Sequence, residues 1–166
     1  MNSSRLMMFF FALMLASCTV NYSLTGGQFS GAKTFSVDLF KTQTALANPI
    51  YAQRLTESLK DLLLSQSPLK LAESNGELQY EGFVTDYNIA PVAIQDNETA
   101  SLSRLSISIK VKYTNTLEPA LSFDRSFTKF ADYPAASDLL SVEEELWKEI
   151  NDQLLQEIYN SSVGNW

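Results

Sequence analysis

The stretch Leu102 to Tyr113, LSRLSISIKVKY, decides how the rest of the chain is read. Leu105, Ile107, Ile109, Val111 and Tyr113 occupy every second position, with Ser106, Ser108, Lys110 and Lys112 between them. A period of two sends alternate side chains to opposite faces, so this is a strand with one apolar side and one small, hydrophilic, slightly basic side. A sheet built on it has one face to bury. Downstream, a turn near Leu117-Glu118-Pro119 leads to ALSFDRSFTKFADY, where Leu121, Phe123 and Phe127 alternate with Ser122, Asp124, Ser126 and Thr128. Arg125 and Lys129 fall on the apolar parity there, which suits an edge strand, a bulge or a sheet end. Pairing the hairpin about Tyr113 and Leu121 brings Lys112 near Asp124, as a cross-strand ion pair on a solvated face.

Upstream, ELQYEGFVTDYNIAPVAI is a long extended segment in which Leu78 and Tyr80 share one parity and Phe83, Tyr87 and Ile89 the other; Gly82 is expected to mark the bulge between them. KTFSVDLF, Lys33 to Phe40, alternates Phe35, Val37 and Leu39 with polar residues, the pattern of another strand. Two segments have helical spacing instead. Asn48 as N-cap with Pro49 behind it opens a helix whose stripe is Tyr51, Leu55, Leu59, Leu62 and Leu63. A second helix runs from Ser137 to Tyr159, with Ser141 and Glu144 in capping-box spacing and Trp147, Ile150, Leu154 and Ile158 as its stripe. Two one-sided helices and one one-sided sheet predict a single α+β domain over 33–166, a two-layer sandwich with both helices on one face of a four-stranded mixed or antiparallel sheet.

Composition removes whole classes of chemistry. The chain has no histidine and one cysteine, so histidine acid/base chemistry and Cys/His metal sites are excluded, and no disulfide can form within one chain. With 12 Lys+Arg against 19 Asp+Glu the net charge is −7, which makes nucleic acid a poor partner. Glu143-Glu144-Glu145 invites a metal reading, but three consecutive helical positions point in three directions and cannot converge on one ion. No G-x-S-x-G elbow is present, and Gly26-Gly27 lacks the strand-to-helix context of a phosphate loop. The chain does not read as an enzyme.

The N-terminus carries a positional signal. After Arg5 come 11 uncharged residues, Leu6 to Ala16, short of the length a helix needs to cross a bilayer. Leu15-Ala16-Ser17-Cys18 then resembles the bacterial lipobox. That resemblance implies a lipoprotein signal peptide over 1–17, cleavage between Ser17 and Cys18, a diacylglyceryl group on the Cys18 thiol and an acyl group on its amine, with 18–32 as a lipidated Gly/Ser/Thr-rich tether. Several acyl chains anchor stably where one is marginal. An ordinary secreted protein with a leftover thiol, or an unprocessed chain with a buried one, is the alternative.

From Cys18 to Trp166 the chain resembles the LptE family of lipopolysaccharide-assembly lipoproteins, in its Bacteroidetes-type form. The likeness rests on YSLTGG, AKTFSVDLF, the Asn48-Pro49 helix start with LTESLKD, SNGELQYEGFVTDY, APVAI, NETA followed by RLSISIKVKYTN, SFTKFADY and the closing NW. It implies two helices on a four-stranded sheet, no cofactor beyond the covalent lipid on Cys18, and an outer-membrane location. It also implies an LptD-type β-barrel partner to be plugged and assembled, and lipopolysaccharide as cargo. Lys110, Lys112, Arg125 and Lys129 are candidate glycolipid contacts, fixed by no family motif. A generic envelope-assembly scaffold that never touches glycolipid remains the alternative. A carrier holding an acyl chain between helices and sheet ranks below both, because Phe35, Phe83, Ile107, Phe123, Phe127 and Trp147 are expected to fill the core.

Overall fold

The computed structural model describes residues 29–92 and 101–164, so Ser17, Cys18, the signal peptide, most of the tether and the NETA segment lie outside the described residues. The elements run β1 (Thr34–Val37), β2 (Lys41–Thr42), α1 (Pro49–Gln66), β3 (Lys70–Leu71), β4 (Leu78–Pro91), β5 (Leu102–Asn115), a 3-10 turn (Pro119–Leu121), β6 (Phe123–Pro134) and α2 (Leu139–Ser162). They form one mixed sheet in the order β3-β1-β4-β5-β6, with β2 also beside β4. β1 and β2 run parallel to β4, and β4, β5 and β6 are antiparallel. Helices α1 and α2 cover the same face, which makes the expected two-layer α+β sandwich. The sheet has six strands rather than four, because β2 and β3 are two-residue strands that alternation cannot register.

α1 begins as its sequence dictates: Asn48 Oδ1 accepts the Ile50 N–H at 3.0 Å, and Pro49 occupies the first turn, where a missing donor is harmless. Tyr51, Leu55, Leu59 and Leu63 are buried on one stripe. α2 buries Trp147, Ile150, Leu154 and Ile158 as expected, and Leu146, Leu155 and Tyr159 besides. Its start differs from the capping-box reading. Asp138 is the N-cap, and Ser141 lies inside the helix, donating its hydroxyl to the Asp138 carbonyl.

Two expectations for the sheet are corrected by one ring. The segment 33–40 is not a continuous strand: after Val37 the chain bends, Leu39 turns outward and Phe40 turns in. The Phe40 N–H donates to the buried Thr56 Oγ1 on α1 at 2.9 Å. Its ring lies over Gly82, where an added Cβ would stand 2.4 Å from a ring carbon. Gly82 therefore makes room for a neighbour and marks no bulge. It stays in register opposite Val111, and the strand changes face at Thr85, between Val84 and Asp86. Consequently Val84 enters the core, while Phe83 is half-buried on the opposite face.

The hairpin register also shifts from expectation. Tyr113 pairs with Phe123, not Leu121, because Pro119–Leu121 forms the 3-10 turn and Ser122 Oγ accepts the Asn115 N–H. Phe123 is only half-buried as a result.

The inner layer is aromatic and hydrogen-bonded. Tyr51 packs edgewise on Trp147 with centroids 5.2 Å apart, and its hydroxyl donates to Asn151 Oδ1. Trp147 Nε1–H donates to Tyr87 Oη, whose own hydroxyl donates to Glu143 Oε1 at 2.6 Å. Tyr80 donates to Ser162 Oγ, and Tyr159 to the Gln66 carbonyl. These bonds tie each helix to the sheet or to the other helix. Without them, burial of the hydroxyls would cost stability.

Candidate functional site

The face of the sheet away from the helices is the surface that sequence singled out, and the strand register composes it row by row. Glu81, Lys112 and Asp124 stand abreast on β4, β5 and β6; Phe83, Lys110 and Ser126 form the next row. Asp86, Ser108 and Thr128 follow, then Asn88, Ser106 and Phe130, and finally Ala90, Arg104 and Asp132. The centre is lined by small hydroxyls, and Ser108 Oγ and Thr128 Oγ1 are 2.8 Å apart.

Every cation of β5 on this face is paired. Lys112 Nζ donates to Glu81 Oε1 at 2.9 Å, and that bond together with the Glu81 charge holds the ammonium above its ordinary range. Asp124 is opposite Lys112 as expected, yet its carboxylate pairs with Lys110 at 3.0 Å. The reason is positional: Lys110 has only Phe83 and Ser126 abreast of it, so its ammonium leans toward the nearest free acid. Arg104 grips Asp132 through Nε and Nη2 at 2.7 and 2.9 Å, with its guanidinium 3.6 Å over the Phe130 ring. The hydrogen bond from Arg104 lowers the Asp132 pKa and raises that of Arg104. Exposed pairs of this kind contribute little to stability, so their main effect is to offset charge on the face.

The four candidate glycolipid residues do not form one patch. Lys110 and Lys112 lie on the outer face, whereas Arg125 and Lys129 sit opposite Val111 and Ile107 on the helix side of β6. β6 is the edge of the sheet, which lets those two chains leave the apolar layer sideways, and inward charges on an edge strand discourage further strand pairing. Lys129 Nζ reaches Glu157 on α2 at 2.8 Å, and Arg125 lies over Phe123 at 5.2 Å. Together with Gln153, Gln156 and Asn160 they line a groove between β6 and α2.

Sequence reasoning missed Glu81, Phe83, Arg104, Phe130 and Asp132 as parts of the outer face. Arg104 and Asp132 were within reach, since the register that sets Lys112 opposite Asp124 also sets Arg104 opposite Asp132. Glu81 and Phe83 were not, because their face depended on where β4 bulges. The glutamate run separates as its geometry requires: Glu143 accepts from Tyr87 and Glu144 pairs with Arg54. Among the described residues no group of three or more Cys, Asp or Glu side chains is placed to hold a metal ion.

The end of the sheet where β1 begins beside Leu78 of β4 is tightly bonded. Glu77 Oε2 accepts the N–H groups of Lys33 and Thr34 and the Thr34 hydroxyl, which together lower its pKa. Gly76 lies so close to the β1 backbone that a Cβ would stand 2.4 Å from the Phe35 carbonyl carbon.

This geometry defines a two-layer α+β domain that presents a largely ion-paired outer sheet surface. The family model described as "LptE: Lipopolysaccharide-assembly" matches residues 32–162, and the chain belongs to that family. No curated relative matches the chain. Among solved structures it is similar in fold to a minor lipoprotein from Acinetobacter baumannii, with 19% identity, TM-score 0.50, and coverage of 78% of this chain and 91% of that one. It is likewise similar to a hypothetical protein from Chlamydia trachomatis, with 8% identity, TM-score 0.55, and coverage of 81% and 99%. Protein XCC0632 from Xanthomonas campestris matches at 12% identity and TM-score 0.51, over 77% and 82% of the two chains.

Proposed function

We propose that this chain is an outer-membrane lipoprotein, anchored by diacylglyceryl and N-acyl lipid on Cys18, that plugs and helps assemble an LptD-type β-barrel and assists delivery of lipopolysaccharide to the outer leaflet. The observation that carries the reading is the outer sheet face, where Arg104, Lys110 and Lys112 each have a carboxylate partner within the surface. Such a face is hydrophilic with most of its charge paired internally, Asp86 standing outside those pairs, and it suits a watery pore whose inner wall is polar. Family membership supplies the process. Among the described residues no helix is long and apolar enough to cross a membrane; the proposed attachment is the lipid on Cys18.

The test is mild detergent extraction at native expression level. A large β-barrel protein is expected to co-purify; recovery of the chain alone would count against the barrel partnership. Cys18→Ala is expected to remove the chain from outer-membrane fractions, and its firm retention there would contradict the anchor.

A second reading, an envelope scaffold that never touches glycolipid, is favoured by the same pairing, since Lys110 and Lys112 already have carboxylates and are not free to capture a phosphate. Charge reversal at Lys110 and Lys112 distinguishes the two. Glycolipid binding that weakens more than after reversal of Lys60 and Lys148 on the helices supports direct contact. Equal effects support the scaffold.

A further inference from the structure

The β5–β6 turn has a composition unusual for an exposed turn. Leu117, Pro119, Ala120 and Leu121 are all exposed within five successive residues, Leu117 at 46% and Leu121 at 37%. Single exposed leucines are ordinary, but four exposed apolar residues among five, interrupted only by Glu118, are not. The tip is also rigid. Buried Asn115 accepts the N–H groups of Leu117 and Glu118 through Oδ1, at 3.0 and 2.8 Å. The 3-10 turn closes through Leu121 N–H to the Glu118 carbonyl, and Thr116 N–H donates to the Glu77 carbonyl.

The tether passes this same turn. Ser30 Oγ donates to Glu118 Oε2 at 2.9 Å, at the end of the sheet where β1 begins. From Cys18 to Phe29 there are eleven peptide steps, which span at most about 40 Å when fully extended. The 14 residues of β4 run the other way for about 45 Å, and Leu46, four residues past the pairing of Thr42 with Val84, lies about 20 Å along it from the turn end. Because the chain leads away from the domain toward Cys18 beside this turn, the turn lies at the end from which the proposed anchor departs.

We propose that the turn Leu117–Leu121 is a membrane-facing foot: its two leucines and its proline seat in the lipid surface that receives the Cys18 acyl chains, and so fix the tilt of the domain. This rests on the lipid-anchor reading. A rigid turn loses little conformational freedom on contact, and paired apolar side chains at a tip are suited to the headgroup boundary. The turn's one charge, Glu118, is held back by Ser30.

The test uses the full-length acylated protein, whose only native thiol is blocked by lipid, in phosphatidylethanolamine/phosphatidylglycerol vesicles. Leu121→Cys, Leu117→Cys and, as the remote control, Leu46→Cys are each labelled with an environment-sensitive fluorophore. Intact mass establishes acylation of each sample. The expected result is a blue-shifted emission, quenched by brominated lipid, at positions 117 and 121 and neither effect at 46. Acylated protein with unshifted emission at 117 and 121, or with the same shift at 46, overturns the foot while leaving the anchor intact. Protein whose mass shows no acyl chain overturns the anchor and the foot with it.

Discussion

Replacing Gly82 by alanine tests whether the Phe40 ring, rather than any strand bulge, explains that glycine. The new Cβ would stand 2.4, 2.5 and 2.6 Å from three carbons of a ring that is 2% exposed. The ring cannot retreat without giving up its seat under α1, where the Phe40 N–H is bonded to Thr56. Overpacking of a well-filled core costs about 1–3 kcal/mol, and contact this close belongs at the upper end. A stiffer unfolded chain returns about 0.4–1 kcal/mol. Gly82→Ala should therefore destabilise by about 2 kcal/mol. Phe40→Ala alone should cost about 3–5 kcal/mol through lost burial and a cavity. In the double variant the methyl at 82 no longer meets a ring, so the combined loss should stay near that of Phe40→Ala, with about 2 kcal/mol of coupling. The assay is urea unfolding in a Cys18→Ala background, followed by the fluorescence of buried Trp147. An unperturbed Gly82→Ala chain, or losses additive to within about 0.5 kcal/mol, would refute the reasoning.

Tyr87→Phe removes the acceptor of the Trp147 indole N–H and the donor to Glu143 while keeping the ring, and it should destabilise by about 1–3 kcal/mol through an unmade buried hydrogen bond. A loss below about 0.5 kcal/mol in urea unfolding would mean that water replaces the hydroxyl. Glu77 gives a pH signature: its folded pKa lies below the ordinary 4.5, so its contribution is fully present above that value and is lost as pH falls through the folded pKa. Glu77→Gln should flatten the acid limb of the stability profile and speed hydrogen exchange at the Lys33 and Thr34 amides; an unchanged limb and unchanged exchange would show that the tether end is held by other contacts.

Local rules made much of the fold legible. The N-cap of α1 depends on Asn48 and Pro49, adjacent residues whose geometry needs nothing distant. The β5 alternation was readable because the strand lies mid-sheet, with its whole inner side under the helices and its other side in water. Edge placement of Arg125 and Lys129 could be suspected from their parity alone, since a charge on an apolar parity has few other homes. By contrast, the ion pairs of the candidate site depend on which residues stand abreast on three strands. No spacing within one strand encodes that.

By itself, then, the amino-acid order determined the layer architecture, the polar and apolar sides of β5, the stripes of both helices and the lack of histidine chemistry, because each follows from the period or identity of neighbouring residues. Only the tertiary structure decided that Gly82 receives the Phe40 ring, that Phe83 faces out and Val84 in, that Asp124 takes Lys110 while Lys112 takes Glu81, and that Ser30 meets Glu118 on the Leu117–Leu121 turn. Those outcomes are contacts between segments far apart in the chain, fixed when the strands choose a register and the helices settle on them.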